Sequence, residues 1–166
     1  SMYFSYVLRN VPEITPFESG ALLYRAIVNA TVPRFLFPEK TNLGGDSWLV
    51  RKYTGLNVSG DESGTSVGLG YMPEFFIDYG VLGILILSFA YAFLLIVLMR
   101  ILAASSKDKF IFIGMSYSLL SAFFMTFDAS FAKILAGAMQ RTIIFSALAV
   151  IFYPTIFAWL TKAKKQ

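Results

Sequence analysis

The sequence predicts an all-α membrane protein in which three transmembrane helices follow a long extracytoplasmic loop carrying one amphipathic helix. Three observations predict it. Stretches 79–99, 110–127 and 142–161 contain no charged residue. A helix rises about 1.5 Å per residue, so roughly 20 residues cover a hydrocarbon core of about 30 Å, and each stretch is close to that length. Hydrophobic residues make up 57% of the 166 positions and charged residues only 14%, far from the balance of a solvated globule. Charge is also unevenly divided: six Lys/Arg face eight Asp/Glu through Tyr79, and eight face only two from Gly80 onward.

The net charge of +4 does not point to nucleic acid. The excess bases, Arg100, Lys107, Lys109, Lys162, Lys164 and Lys165, sit beside the apolar stretches, where they serve as juxtamembrane anchors. The chain has no cysteine and no histidine. That excludes a disulfide framework, thiolate ligation and the commonest general base and metal ligand. Neither a metal nor a cofactor is expected, and any catalysis falls to carboxylates, Lys, Arg, Tyr or hydroxyls.

Residues 1–78 form the expected extracytoplasmic region. Its start carries Arg9, Glu13 and two prolines within residues 2–17, so it lacks the apolar core of a signal peptide, and upstream segments are expected to carry it across. Thr15-Pro16-Phe17-Glu18 reads as a helix start with a capping residue, a proline at the first position and a closing acid. Phe17, Ala21, Tyr24 and Val28 then recur at helical spacing, which predicts an amphipathic helix over about 15–32 lying on the membrane surface or on further helices. From Pro33 to Ser66, prolines and glycines interrupt every regular pattern, and the stretch is expected to be loop. Its aromatics, Phe35, Phe37, Trp48 and Tyr53, argue against simple disorder. Spans are expected over 79–102, 110–127 and 142–161, the last kinked at Pro154, with 162–166 as a cytoplasmic tail. The bases at Arg100–Lys109 and in the tail place the first connection and the C-terminus in the cytoplasm.

Polar function concentrates in the loop, where Arg34, Glu39, Lys40, Asp46, Arg51 and Lys52 lie near aromatics. Guanidinium and ammonium groups suit a diphosphate, and aromatic faces suit sugars; the plainer alternative is a solvated loop whose charges pair with one another. Glu74 and Asp78, four apart, share one helix face near the interface, where a desolvated carboxylate can act as a general base. The competing reading is an ordinary helix start, where acids suit the dipole. Asp128, Lys133 and Arg141 fall in the expected outer connection between the second and third spans. Arg9 and Arg25 are further cationic candidates, alongside Arg141.

Three segments carry a family resemblance: Val32-Pro33-Arg34-Phe35-Leu36-Phe37-Pro38-Glu39-Lys40, Gly64-Thr65-Ser66-Val67-Gly68, and Glu74-Phe75-Phe76-Ile77-Asp78-Tyr79-Gly80-Val81-Leu82-Gly83. Over residues 32–102 the chain resembles the C-terminal part of bacterial oligosaccharide repeat-unit polymerases, the Wzy-type O-antigen and exopolysaccharide polymerases. The resemblance implies a multi-pass glycosyltransferase of the bacterial inner membrane. It would join polyprenyl-diphosphate-linked oligosaccharides at the outer face, alongside other polysaccharide assembly proteins. Arg9 to Gly20 and Arg34 to Gly45 both match an Arg-x10-Gly spacing described in some members. The absence of a loop histidine favours a polymerase over the related ligases. On this reading Arg34, Lys40, Arg51 and Lys52 bind the diphosphate, and Glu74 or Asp78 takes a proton from the acceptor hydroxyl. A transporter or flippase segment for the same lipid-linked glycans, and a non-catalytic membrane scaffold, are the competing expectations.

Overall fold

A computed structural model describes residues 2–31, 46–60, 64, 67–106, 109–125 and 128–163. All regular structure among them is helical: α1 (Met2–Asn10), α2 (Ala21–Thr31), α3 (Ser47–Thr54), α4 (Tyr71–Ser105), α5 (Lys109–Met125) and α6 (Phe131–Ala163). Two of these, α4 and α6, are long and apolar enough to cross a membrane, with mean hydropathies of 2.9 and 1.8 in their most apolar windows. The helix at the core of a soluble protein is mostly buried, whereas only 22% and 28% of these windows are. Leu82, Leu85, Ile86, Phe89 and Phe93 of α4 are all exposed. Helix α5 is shorter, at 17 residues.

The chain divides into two compact units, residues 1–91 with 126–136, and residues 92–125 with 137–166. In the first, short helices pack around an apolar core that includes Val7, Leu22, Leu49, Val50, Tyr53, Phe76 and Ile77. Helices of 8–11 residues are marginal alone. Here tertiary burial holds them, each fully buried apolar side chain contributing about 1.5–3 kcal/mol. Tyr3, Val7 and Val11 recur every four residues toward the core, and Leu49 and Val50, at helical spacings of four and three from Tyr53, face the core with it from α3. Asn10 Nδ2 adds a hydrogen bond to the Tyr53 carbonyl at 3.0 Å. In the second unit, Leu95, Leu98 and Leu102 of α4 form a buried stripe at spacings of three and four.

Helix α4 is about 50 Å long by its 35 residues, more than a bilayer needs. It is interrupted where the charge-free stretch begins. Tyr79 (φ −142°, ψ 17°) and Gly80 (φ 66°, ψ −151°) leave helical geometry, so residues 71–78 form a separate helix of about two turns ahead of the span. Gly80 adopts a conformation that is essentially reserved for glycine. At Gly83, a Cβ would collide with the Phe75 carbonyl, so the Gly-x-x-Gly pair lets the broken helix close on itself.

Three expectations are corrected. The stretch from 33 to 66 is not continuous loop, because Ser47–Thr54 is a helix. Helix α2 begins at Ala21 rather than at Thr15 or Pro16. The Glu18 and Ser19 N–H groups instead donate to the Ile77 and Asp78 carbonyls, at 3.0 and 3.1 Å, and Ser19 and Gly20 turn through positive φ. Lys133 and Arg141 are not in a connection but within α6, which starts at Phe131, well before the charge-free run, and continues through Pro154.

Candidate functional site

The carboxylates of the short helix ahead of the break each reach the start of a different helix. Asp78, 1% exposed, accepts the Leu22 N–H on Oδ1 at 3.1 Å and the Leu23 N–H on Oδ2 at 2.8 Å. The first amides of a helix have no partner within it and carry partial positive charge. Asp78 therefore caps α2 from outside the helix, which is why α2 starts where it does. Burial raises the proton affinity of Asp78, and the amides of Leu23, Leu22 and Gly20 oppose the shift. Replacing Asp78 with Ala leaves one buried and one half-buried amide unpaired and costs about 2 kcal/mol. The expected readout is a lower unfolding temperature and faster amide exchange in residues 21–25.

Glu74, one turn earlier and 4% exposed, accepts the Phe131 N–H on Oε2 at 3.0 Å, at the first residue of α6. Its Oε1 is buried and has no hydrogen-bond partner among the described residues. Ser130, just before α6 and 2% exposed, likewise has a buried Oγ with no partner among the described residues. Phe131 is boxed by Phe75 and Tyr91, with ring centroids at 4.8 and 5.4 Å in edge-on geometry, and Tyr71 packs on Phe75. The close passage of residues 128–130 depends on Gly68, where a Cβ would strike the Asp128 carbonyl.

Beside this carboxyl lies an ion pair. Lys133 Nζ is 2.8 Å from Asp46 Oδ2, a charge contact rather than an aligned hydrogen bond, with the Asp46 side chain 9% exposed. Glu74 precedes the charge-free stretch, and burial pushes its carboxyl up to about 8. The Phe131 amide opposes that shift, Asp46 and Asp78 add to it, and Lys133 counters it. The arrangement therefore holds a carboxyl whose protonation changes near neutral pH and which keeps one oxygen for a further hydrogen bond. That is what proton transfer to or from a hydroxyl requires.

Of the predicted diphosphate ligands, Arg51 and Lys52 make their hydrogen bonds to groups other than Glu74. Arg34 and Lys40 lie outside the described residues. Arg51 donates from Nε and an Nη to the Val58 carbonyl, at 2.9 and 2.7 Å, and so ties the chain after α3 back to that helix. Lys52 Nζ and Tyr53 Oη both donate to Glu18 Oε1 at 2.5 Å. Those hydrogen bonds, from Lys52 first, lower the Glu18 pKa, and the Glu18 bond raises that of Lys52. Burial and the bond to Glu18 push the Tyr53 hydroxyl up to about 12. Arg25 stacks over Trp48 at 5.2 Å, Arg9 is exposed at the end of α1, and Arg141 belongs to the second unit. The cluster around Glu74 instead recruits Asp46, Lys133 and Ser130. The available signal for Ser130 was its position just before an apolar helical pattern, where serine marks a helix start. Among the described residues no group of three or more acidic side chains is placed to hold a metal ion.

No protein-family model, curated protein or solved structure matches this chain.

Proposed function

We propose that the chain is the C-terminal part of a multi-pass glycosyltransferase of the bacterial inner membrane that polymerises polyprenyl-diphosphate-linked oligosaccharide repeats at the outer face. Residues 79–102, 110–127 and 142–161 are its closing spans, residues 1–78 are extracytoplasmic and the C-terminus is cytoplasmic. The observation that carries the reading is Glu74: a buried carboxyl whose Oε1 has no hydrogen-bond partner among the described residues, its pKa pushed up to about 8 by burial, immediately ahead of the break in α4. In the reaction, Glu74 accepts the proton of an acceptor sugar hydroxyl. The hydroxyl oxygen bonds to the anomeric carbon of the donor, and the bond from that carbon to the lipid diphosphate breaks. Arg34 and Lys40 neutralise the departing diphosphate, with no metal or cofactor. Arg51, Lys52 and Asp78 support the site by holding α3, Glu18 and α2 in place.

Arg34→Ala in the complete protein is expected to shorten or abolish the polysaccharide ladder on a gel. An unchanged ladder contradicts the assignment of Arg34.

The Asp46–Lys133 pair beside Glu74 favours one second reading, a transporter or flippase segment for the same lipid-linked glycans, since buried ionisable groups of this kind also serve as proton relays. Transport moves repeats without forming glycosidic bonds, and a non-catalytic scaffold tolerates loss of all these charges.

A further inference from the structure

Helix α2 has two apolar faces. Leu22 and Ala26 are buried in the first unit, while Tyr24, Ile27 and Val28, at helical spacing on another side, are exposed, as is Phe17 just ahead of the helix. Tyr24 is 70% exposed, so the face is open rather than partly covered. The only charged residue on α2 is Arg25, whose guanidinium lies over the exposed ring of Trp48 on α3.

The level of this face along α4 is fixed by contacts at one point. The Glu18 and Ser19 amides bond to the Ile77 and Asp78 carbonyls, Asp78 caps α2, and Tyr79 Oη donates to the Ser19 carbonyl at 3.2 Å. The Phe17 ring lies against Gly80. The first turn of α2 is thus fastened to the residues where the charge-free stretch of α4 begins, the depth at which headgroups give way to acyl chains if α4 spans. A helix with an open apolar side, one cation and a neighbouring Trp suits that boundary, where aromatic rings and Arg are favoured.

We propose that the Tyr24, Ile27 and Val28 face docks into the phospholipid headgroup–acyl boundary of the leaflet that α4 enters, with Arg25 and Trp48 at headgroup level. This rests on the reading that α4 crosses a membrane. The docking fixes the depth of the first unit, and with it the height of Glu74 above the acyl chains.

The chain contains no cysteine, so single labels can be introduced without background from it. Val28→Cys, Asn57→Cys and Phe89→Cys, all at exposed positions, are made separately in the complete protein, otherwise free of cysteine, and carry nitroxides. The protein is reconstituted in phosphatidylethanolamine–phosphatidylglycerol vesicles. Collision rates are then measured with oxygen, which concentrates in lipid, and with a water-soluble nickel chelate. The expected result is oxygen preference at Phe89, nickel preference at Asn57, and a value at Val28 shifted from Asn57 toward Phe89. If Phe89 prefers oxygen while Val28 matches Asn57, the docking is overturned and the span stands. Val28 protected from both reagents means that protein covers the face, which also overturns the docking. Phe89 in water overturns the span and the docking together.

Discussion

Glu74→Gln is expected to raise the unfolding temperature at pH 8 and to flatten its dependence on pH between about 5 and 8. Burial holds the native carboxyl protonated up to about 8, against a reference value of 4.5 in water. Between those values the folded state binds a proton that the unfolded state has released, so stability falls as pH rises. The contribution is complete below about 4.5 and is lost as pH passes through about 8. Each tenfold change in proton affinity is worth about 1.4 kcal/mol, so the loss amounts to several kcal/mol. Gln keeps an acceptor for the Phe131 amide and never ionises, so the variant lacks this slope. Thermal unfolding in detergent, followed by tryptophan fluorescence across the pH range, measures it. An equally steep slope in the variant means that Glu74 is not the titrating group.

Lys133→Met is expected to destabilise the protein by about 2–4 kcal/mol, because it strands a buried Asp46 carboxylate. The lower part of that range reflects the lysine side chain, which is 34% exposed and so partly screened by water. Asp46→Asn in the same chain removes the stranded charge, so the double variant should be more stable than Lys133→Met alone. Because Lys133 favours the ionised form of Glu74, its loss should also move the pH midpoint of unfolding further upward. Denaturant titration of both single variants and the double variant gives the coupling. Additive effects contradict the coupling of Lys133 to Asp46, and an unmoved pH midpoint in Lys133→Met contradicts its link to Glu74.

The helical class and the long apolar helices were legible because runs without charge survive any change of packing. The break in α4 falls where the charge-free stretch starts, at a glycine in a backbone conformation that other residues rarely adopt. Glu74 and Asp78 stood out because their spacing of four puts two acids on one face. The sequence does not announce that each would bind a different helix, since Leu22, Leu23 and Phe131 are more than fifty residues away along the chain. Helices α1 and α3 were hidden for a related reason. They are held by burial of Val7, Val50 and Tyr53 rather than by local propensity, and prolines and glycines around α3 mask its short period. The aromatics of that stretch were the usable clue. The start of α2 was misplaced because Thr15-Pro16 has the composition of a cap, while the operative cap, Asp78, comes from another element. Lys133 and Arg141 read as connection because the charge-free criterion finds the apolar core of a helix and not its polar first turns.

The most direct test of the Glu74 site is chain growth in vitro, with the complete protein in vesicles supplied with purified polyprenyl-diphosphate-linked repeats. Wild type is expected to extend the repeats, at a rate that rises with pH up to about 8 as Glu74 loses its proton. Glu74→Gln should bind the lipid-linked repeat and yet form no new glycosidic bond. Chain growth by the Gln variant at the wild-type rate, or repeats moved across the bilayer by wild type with no bond formed, would contradict the proposed chemistry.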